Sequence, residues 1–228
     1  MIGRATIPIL ALGGVGIVVL LAIAVTSGVS DAFDRSIVEA VRANGLHDLL
    51  SPLRTITELG STGAVTVVAV LTLLVGVLIG PWLHGVAGAI TIGLASLGNE
   101  ALKAIIARAR PDLLDPIVAE RGFSFPSGHS ALGMVAWGTF GVLVMRSRLP
   151  RRVRLGIVAL LAVVIFLIGV SRIWLGVHYP TDVLAGWTAG AVIVLLYARL
   201  TRRVSPEPAA AAVDVDPAAR RSGPPVAG

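Results

Sequence analysis

Long apolar stretches, separated by short polar passages, dominate the chain. Six of them are long enough to cross a bilayer as helices, at about 1.5 Å per residue. They cover residues 7–26, 64–80, 85–106, 128–144, 153–170 and 183–200. Between the first two, residues 30–61 carry apolar side chains at helical spacing among charged ones, which predicts short helices at the membrane interface. The pattern therefore predicts an all-α fold, a polytopic bundle of six transmembrane helices with short interfacial helices between the first and second spans.

Smaller features complete this pattern. Residues 81–84 predict a tight turn between the second and third spans, and Gly186 and Gly190 have the small-xxx-small spacing of closely packed helices. A signal peptide is the alternative for the first stretch, but that stretch is long and lacks a clear cleavage site, so we interpret it as a span. Residues 1–203 are predicted to form one transmembrane domain, and the alanine- and proline-rich residues 204–228 a disordered cytoplasmic tail.

Composition agrees with a membrane protein and excludes several kinds of chemistry. Of the 228 residues, 55% are hydrophobic and only 14% are charged, which is outside the usual range of soluble domains. The chain has no cysteine. Disulfides, thiolate metal sites and a cysteine nucleophile are therefore excluded.

The distribution of positive charge predicts the orientation in the membrane. A formal net charge of +6 could indicate nucleic-acid binding, but the cations follow the predicted topology and we expect no nucleic-acid partner. Eleven lie at the termini and in the fourth-to-fifth loop: Arg4, Arg146, Arg148, Arg151, Arg152, Arg154, Arg199, Arg202, Arg203, Arg220 and Arg221. The positive-inside rule then predicts a multi-pass protein of the cell membrane with both termini cytoplasmic and the other polar passages extracytoplasmic.

Three of these outer passages carry candidate chemistry. In the first, Lys103 and Arg110 are seven residues apart, which predicts one helix face with the two cations about 10 Å apart along its axis and the following proline at its end. In the second, Ser127 is placed to cap the fourth span, with Gly128 and His129 in its first turn. Free N–H groups and the positive end of the helix dipole there favour an anion.

The third passage runs from Arg172 to Asp182, between two apolar stretches. His178 and Asp182 are four residues apart, so the carboxylate can accept a hydrogen bond from one ring nitrogen and leave the other free to attack or to transfer a proton. Pro180 is predicted to start the sixth span. An anion held by arginine beside an oriented imidazole indicates phosphoryl chemistry.

Together the three passages resemble the signature of the type 2 phosphatidic acid phosphatase superfamily, in its membrane branch. The matching motifs are Lys103-x6-Arg110-Pro111, Pro126-Ser127-Gly128-His129 and Ser171-Arg172-x5-His178-x3-Asp182. The likeness extends from about residue 30 to residue 199, with no departure at the defining positions. It implies a membrane lipid phosphatase that works through a phosphohistidine without a metal ion or other cofactor, and the sequence shows no cluster of carboxylates and histidines at ligand spacing.

The resemblance also implies a role for each motif residue. His178 is expected to attack phosphorus, and Asp182 to fix its tautomer and stabilise the imidazolium. His129 is expected to protonate the leaving oxygen and then to activate water. The phosphoryl oxygens are expected to be held by Lys103, Arg110, Ser127, Gly128 and Arg172.

Two polar residues precede Lys103 on or beside its face of the third span. Asn99 and Glu100 are predicted either to hold the lysine amine toward the phosphate or to make a structural contact between helices.

Other histidines and arginines receive no catalytic role. We interpret His47 and His84 as interfacial or capping residues. Arg108 and Arg121 either steer anionic headgroups or are solvated loop charges, and we favour the second interpretation.

The motifs recognise phosphate and leave the lipid open. The candidate substrates are a polyprenyl diphosphate such as undecaprenyl diphosphate, phosphatidic acid, phosphatidylglycerol phosphate and a decaprenyl phosphosugar. A vanadate-dependent haloperoxidase resembles the same signature, but that branch is soluble and six spans argue against it. The remaining alternative is a protein that binds or transports a lipid phosphate without hydrolysing it, which would not require both histidines and the aspartate.

Overall fold

We describe the protein from a computed structural model, which covers residues 6–43, 50–79, 82–111 and 120–204. Within these ranges the secondary structure is entirely helical. The helices are α1 Thr6–Thr26, α2 Asp31–Ala43, α3 Leu50–Glu58, α4 Thr62–Ile79, α5 Trp82–Ile106, α6 Gly128–Arg146, α7 Arg151–Trp174 and α8 Pro180–Val204. The all-α prediction is confirmed. His47 and the tail from residue 205 lie outside the described residues.

Within the described ranges, five helices are long and apolar enough to cross a membrane, namely α1, α5, α6, α7 and α8. The second predicted span, residues 64–80, corresponds to α4, which meets the same criterion only together with α3. The two are inclined by 43° across a short break. Because α4 has only 18 residues, about 27 Å at the usual rise, it is slightly shorter than the hydrocarbon core of a bilayer.

The bend between α3 and α4 packs against the centre of the bundle. A Cβ atom at Gly60 would lie 2.6 Å from Cγ2 of Ile168 and 3.1 Å from the backbone oxygen of His129. Only glycine permits so close an approach without a shift of the neighbours. The end of α3 is therefore held beside the first turn of α6, with α3 itself packed on α7.

The core of the bundle is α6, which packs against α4, α5, α7 and α8. Val135 and Ala136 on this helix are fully buried. Its contact with α8 is close, because a Cβ atom at Gly186 would lie 2.7 Å from the backbone oxygen of Ser127 and one at Gly190 2.8 Å from that of Ala131. The prediction that these two glycines mark close helix packing is confirmed.

One local prediction, the tight turn at residues 81–84, is wrong for residues 82–84, and residue 81 lies outside the described residues. Residues 82–84 already belong to α5, and His84 is buried rather than interfacial. Its Nε2 lies 2.8 Å from the backbone oxygen of Thr201, near the C-terminal end of α8. The ring thus pairs with a backbone oxygen in the last turn of a helix, where carbonyl groups have no partner within the helix.

The helix directions bring four ends together. Since α5 and α7 run opposite to α6 and α8, the C-terminal ends of the first pair share one end of the bundle with the N-terminal ends of the second. The backbone N–H of Ser127 donates to the backbone oxygen of Asp182 at 3.0 Å and ties the starts of α6 and α8 together. All three polar passages therefore meet at one end of the bundle.

Candidate active site

The start of α6 is built as the sequence predicts. Ser127 is the N-cap, and its side-chain oxygen accepts from the backbone N–H of Ser130 at 3.5 Å and from the Ser130 hydroxyl at 3.0 Å. The Ser127 hydroxyl therefore keeps its own proton to donate. A Cβ atom at Gly128 would lie 3.6 Å from Nζ of Lys103, so the lysine amine approaches the backbone at the positive end of this helix.

His178 is buried just before α8, and its two ring nitrogens have different partners. Nε2 lies 3.1 Å from Nη1 of Arg110, and Nδ1 lies 3.4 Å from Oδ2 of Asp182. Arginine can only donate a hydrogen bond, so Nε2 is the acceptor and the ring proton is on Nδ1, facing the carboxylate. Oδ2 of Asp182 also accepts from the backbone N–H of Tyr179 at 3.0 Å. This arrangement leaves Nε2 as the nucleophilic nitrogen, on the side of the arginine.

The surroundings of His178 keep its ring neutral. Burial lowers the pKa of His178 from 6.5 to about 3, and the charges of Arg172 and Arg110 act in the same direction, while Asp182 opposes them. A neutral imidazole retains the Nε2 lone pair at neutral pH. The group is therefore ready to act as a nucleophile.

A carboxylate occupies the cationic pocket beside Nε2. Glu120 Oε2 lies 2.9 Å from Nη1 of Arg110 and 3.8 Å from Nε2 of His178, and its Oε1 contacts Nη2 of Arg172. The Arg172 side chain is buried, with Nη1 donating to the hydroxyl of Thr57 at 2.7 Å. Burial lowers the pKa of Arg110, and the charges of Asp182 and Glu100 oppose it. The two arginines thus bind an anionic group directly in front of the nucleophilic nitrogen.

The position of Arg110 corrects one prediction. The helix does not continue to Pro111, because α5 ends at Ile106 and Ala107 has a positive φ of 50°. The N–H of Ala107 still bonds to the oxygen of Lys103 at 2.8 Å. A left-handed residue at this point ends the helix as a C-cap does. Arg110 therefore reaches His178 from an irregular segment and not along the helix face of Lys103.

Lys103 has both predicted neighbours. Its Nζ lies 3.7 Å from Oε1 of Glu100, and Nδ2 of Asn99 lies 3.4 Å from the same oxygen. Asn99 is buried, and Nδ2 would be 3.2 Å from a Cβ atom at Gly128. Glu100 is largely exposed. The geometry is compatible with both interpretations of this pair, and their role stays a prediction.

His129 lies in the first turn of α6 and is partly buried. It is within electrostatic range of Glu58 and of two site cations, Lys103 and Arg110. Since Arg110 also contacts His178, one arginine acts electrostatically on both imidazoles. The structure thus brings all three motifs to one place.

Arg108 is not the solvated charge that we favoured. Its guanidinium is buried, with Nη1 2.7 Å from Oδ1 of Asp182 and Nη2 2.7 Å from Oδ2 of Asp34. Burial lowers the pKa of Arg108, but Asp182 and Asp34 outweigh burial and raise it above its ordinary value. Arg108 is far from both Asp34 and Asp182 in sequence, so the spacing of residues did not predict these contacts. Arg121, by contrast, is exposed, as that interpretation expects.

Sequence reasoning missed three polar residues of this region. Glu120 and Thr57 contact the site cations but belong to no motif, so no signal in the chain marked them. Asp34 did carry one: it lies four residues before the buried Val38, on the inward face of an amphipathic helix. A charged residue on such a face indicates a buried partner.

The family of the chain follows from a comparison of its sequence with family models. Residues 69–205, more than half of the chain, match the PAP2 superfamily. The chain belongs to this superfamily, and the resemblance of its motifs is confirmed.

Several curated proteins are similar over about half of the chain. Phosphatidylglycerophosphatase B of Bacillus subtilis is 36% identical over 109 residues, which cover 47% of this chain and 53% of that protein. A lipid A 1-phosphatase of Rhizobium johnstonii is 37% identical over 117 residues, 47% of this chain and 44% of that protein. An undecaprenyl-diphosphatase of Sulfolobus acidocaldarius is 30% identical over 119 residues, 49% of this chain and 52% of that protein. The chain thus spans about half the length of the curated relatives it matches.

A solved structure shares the fold over most of the chain. The crystal structure of a transmembrane PAP2-type phosphatidylglycerolphosphate phosphatase from Bacillus subtilis superposes with a TM-score of 0.80 at 27% sequence identity. The match covers 86% of this chain and 98% of that one. The helical bundle is therefore that of a membrane PAP2 protein.

Proposed function

We propose that this chain is a membrane phosphatase that hydrolyses a phosphomonoester or diphosphate of a lipid through a phosphohistidine. The observation that carries the proposal is the carboxylate of Glu120 between Arg110 and Arg172, in front of Nε2 of His178. It is an anion held by two arginines beside a neutral imidazole, and a substrate phosphate has the same requirement.

The first step would form the P–N bond. Nε2 of His178 attacks phosphorus as the P–O bond to the lipid breaks, and Asp182 stabilises the positive charge that develops on the ring. His129 donates a proton to the leaving oxygen. For a diphosphate the leaving group would be the lipid monophosphate. The cations of the pocket and the start of α6 hold the phosphoryl oxygens.

The second step would release the phosphate. His129 takes a proton from water, the oxygen attacks phosphorus, and the P–N bond breaks to give inorganic phosphate and neutral His178. Each residue then returns to its starting state. No metal ion takes part in this scheme, and we expect EDTA to have little effect on turnover. Strong inhibition by a chelator that a divalent ion reverses would contradict it.

An apolar cavity supports a lipid substrate. It has a volume of about 400 Å³ and lies between α5, α6 and α8, with Asn99 and Pro126 at the site end and Tyr197 and Leu200 toward the other end. A hydrocarbon chain in this cavity would leave its phosphate close to Lys103, which follows Asn99 by one helical turn. Such a cavity favours a lipid over a small soluble phosphate.

The comparisons support an order of substrates to test. Phosphatidylglycerol phosphate comes first, because a curated relative and a solved structure are both named for that activity. Undecaprenyl diphosphate follows, since another relative is named a diphosphatase of that lipid. Phosphatidic acid and a decaprenyl phosphosugar complete the panel.

We also propose that the site faces the extracytoplasmic side, with both termini in the cytoplasm. The charge distribution along the chain supports this orientation. Because the chain has no cysteine, single cysteines near Arg121 and near Arg148 can be labelled separately with an impermeant maleimide on intact cells. We expect labelling near Arg121 alone. Labelling near Arg148 alone would reverse the orientation.

The function is tested by phosphate release from this panel in detergent, with glycerol 3-phosphate as the soluble control. We expect the wild-type chain to release inorganic phosphate from at least one lipid and far more slowly from the soluble ester, and His178→Ala to release none. Lipid binding without phosphate release would favour the binding or transport alternative. Halide oxidation that depends on added vanadate would favour a haloperoxidase.

A further inference from the structure

Asp34 is a fully buried acid on the amphipathic helix α2. Its Oδ1 accepts from the backbone N–H of Thr181 at 3.1 Å. Its Oδ2 accepts from the Thr181 hydroxyl at 2.6 Å and from Nη2 of Arg108 at 2.7 Å. A buried carboxylate is costly unless it is paired and hydrogen-bonded. Both oxygens of Asp34 meet that condition.

Arg108 connects this acid to the pair proposed to carry the chemistry. One arm of its guanidinium binds Asp34 and the other binds Oδ1 of Asp182 at 2.7 Å. The face of the guanidinium lies 4.1 Å from the ring centre of Tyr179. The planar fork is therefore fixed on both arms and on one face.

The contacts of Asp182 show what this fork controls. Its Oδ1 receives Arg108, and its Oδ2 receives the backbone N–H of Tyr179 and faces Nδ1 of His178. The orientation of the carboxylate and the negative charge left on Oδ2 thus depend on how strongly Arg108 binds Oδ1. Asp34 shares that cation and limits its effect on Asp182.

We propose that Asp34 is a positioning residue for the nucleophile, acting through Arg108 and Asp182 on His178. The proposal rests on the phosphatase function proposed above. Without the charge of Asp34, Arg108 would bind Asp182 more strongly. The hydrogen bond that Asp182 accepts from Nδ1–H of His178 would then be weaker, and Nε2 would attack phosphorus more slowly. Arg110, one of the cations proposed to bind phosphate, touches this chain of contacts at His178, the end remote from Asp34, so substrate affinity should change little.

Asp34 has a structural role as well, which the test has to separate. By accepting the N–H of Thr181 in the first turn of α8, it holds α2 against that helix. Loss of a docking contact alone would lower thermal stability and loosen the whole site. The affinity of the pocket for a phosphate analogue would then fall together with kcat.

The test compares Asp34→Asn with Asp31→Asn in the full-length protein in detergent. Asp31 is the matched control because it lies on the same helix, is half exposed and is 3.6 Å from the same Nη2 of Arg108. Phosphate release from phosphatidylglycerol phosphate, phosphatidic acid and undecaprenyl diphosphate gives kcat and KM, and inhibition by orthovanadate measures the affinity of the pocket for a phosphate analogue.

For Asp34→Asn we expect kcat about 10- to 100-fold lower, with KM and the vanadate inhibition constant within about twofold of wild type. For Asp31→Asn we expect all three values within about twofold, as an exposed pair contributes little.

Arg108→Lys gives a second measurement that does not depend on the folding of the Asp34 variant. An ammonium cannot bind both carboxylates as the planar fork does, so we expect the same selective loss of kcat. An Asp34→Asn variant as active as wild type, an equal loss of kcat and vanadate affinity, or a fully active Arg108→Lys variant would overturn the positioning role. A wild-type chain that is inactive on these three lipids and on a decaprenyl phosphosugar would overturn the proposed function itself.

Discussion

Nη1 of Arg110 lies 3.1 Å from Nε2 of His178, and the contact assigns the ring proton to Nδ1. The same arginine is held by the backbone oxygen of Val177 at 2.9 Å and that of Gly122 at 3.1 Å. A cation is thereby fixed beside the nitrogen that would attack phosphorus. It can bind a phosphoryl oxygen and keep the imidazole neutral until the reaction begins.

Removal of the His178 ring and removal of the His129 ring should lower kcat to different extents. His178→Ala removes the proposed nucleophile and should abolish turnover, while His129→Ala removes the proton donor and should lower kcat by about 10²- to 10⁴-fold. Phosphate release from the preferred lipid measures both. His47→Ala is the control and should keep wild-type activity. Turnover by His178→Ala above about a tenth of wild type would contradict the assignment.

The carboxylate of Glu120 should compete with phosphate for the two arginines. Glu120→Gln removes the negative charge and keeps the shape, so orthovanadate and inorganic phosphate should inhibit about three- to tenfold more strongly, an effect of roughly 1 kcal/mol. Inhibition constants in the phosphate-release assay measure this. Glu39→Gln on the exposed side of α2 removes the same charge elsewhere and should change neither constant. Weaker inhibition of the Glu120 variant would show that this carboxylate helps to bind the anion.

Glu100 should act on the lysine and not on the fold. In Glu100→Gln the lysine amine loses a charged neighbour at 3.7 Å, and since Glu100 is largely exposed we expect only a two- to fivefold rise in KM, which corresponds to about 0.5–1 kcal/mol. Thermal stability should be unchanged. Unchanged kcat and KM with a lower thermal midpoint would instead assign Glu100 to a structural contact.

The pKa of His178 should make its contribution to stability depend on pH. Above about pH 6.5 the ring is neutral in both folded and unfolded chains. As the pH falls below 6.5, His178 becomes protonated in the unfolded chain but stays neutral in the folded chain down to about pH 3. The free energy of unfolding therefore falls by about 1.4 kcal/mol per pH unit.

Thermal unfolding in detergent measures this loss between pH 7 and pH 5. His178→Gln lacks the titrating ring. Between pH 7 and pH 5 the wild type should therefore lose about 2 kcal/mol more of its free energy of unfolding than this variant, and its thermal midpoint should fall further. His47→Gln serves as the comparison and should follow the wild type. A difference that stays constant over this range would mean that the His178 ring titrates normally in the folded chain.

Much of the architecture could be predicted from residue order alone. The apolar stretches predicted the spans because a helix needs about 20 mostly apolar residues to cross the hydrocarbon core of a bilayer. The three site cations and two imidazoles were marked by motif spacing. Pro180 at the start of α8 and the Ser127 cap of α6 are local effects that neighbouring residues decide. The left-handed Ala107 escaped prediction, because the sequence favours a helix continuing to Pro111.

The amino-acid sequence by itself determined the membrane-spanning helices, the family and the polar residues of the three motifs. Only the tertiary structure decided which charges meet across long separations. Asp34 reaches Arg108 over 74 residues, and Glu120 reaches Arg172 over 52. The physical reason is that a buried charge needs a partner in space, and helix packing, which no local pattern encodes, decides which partner it finds.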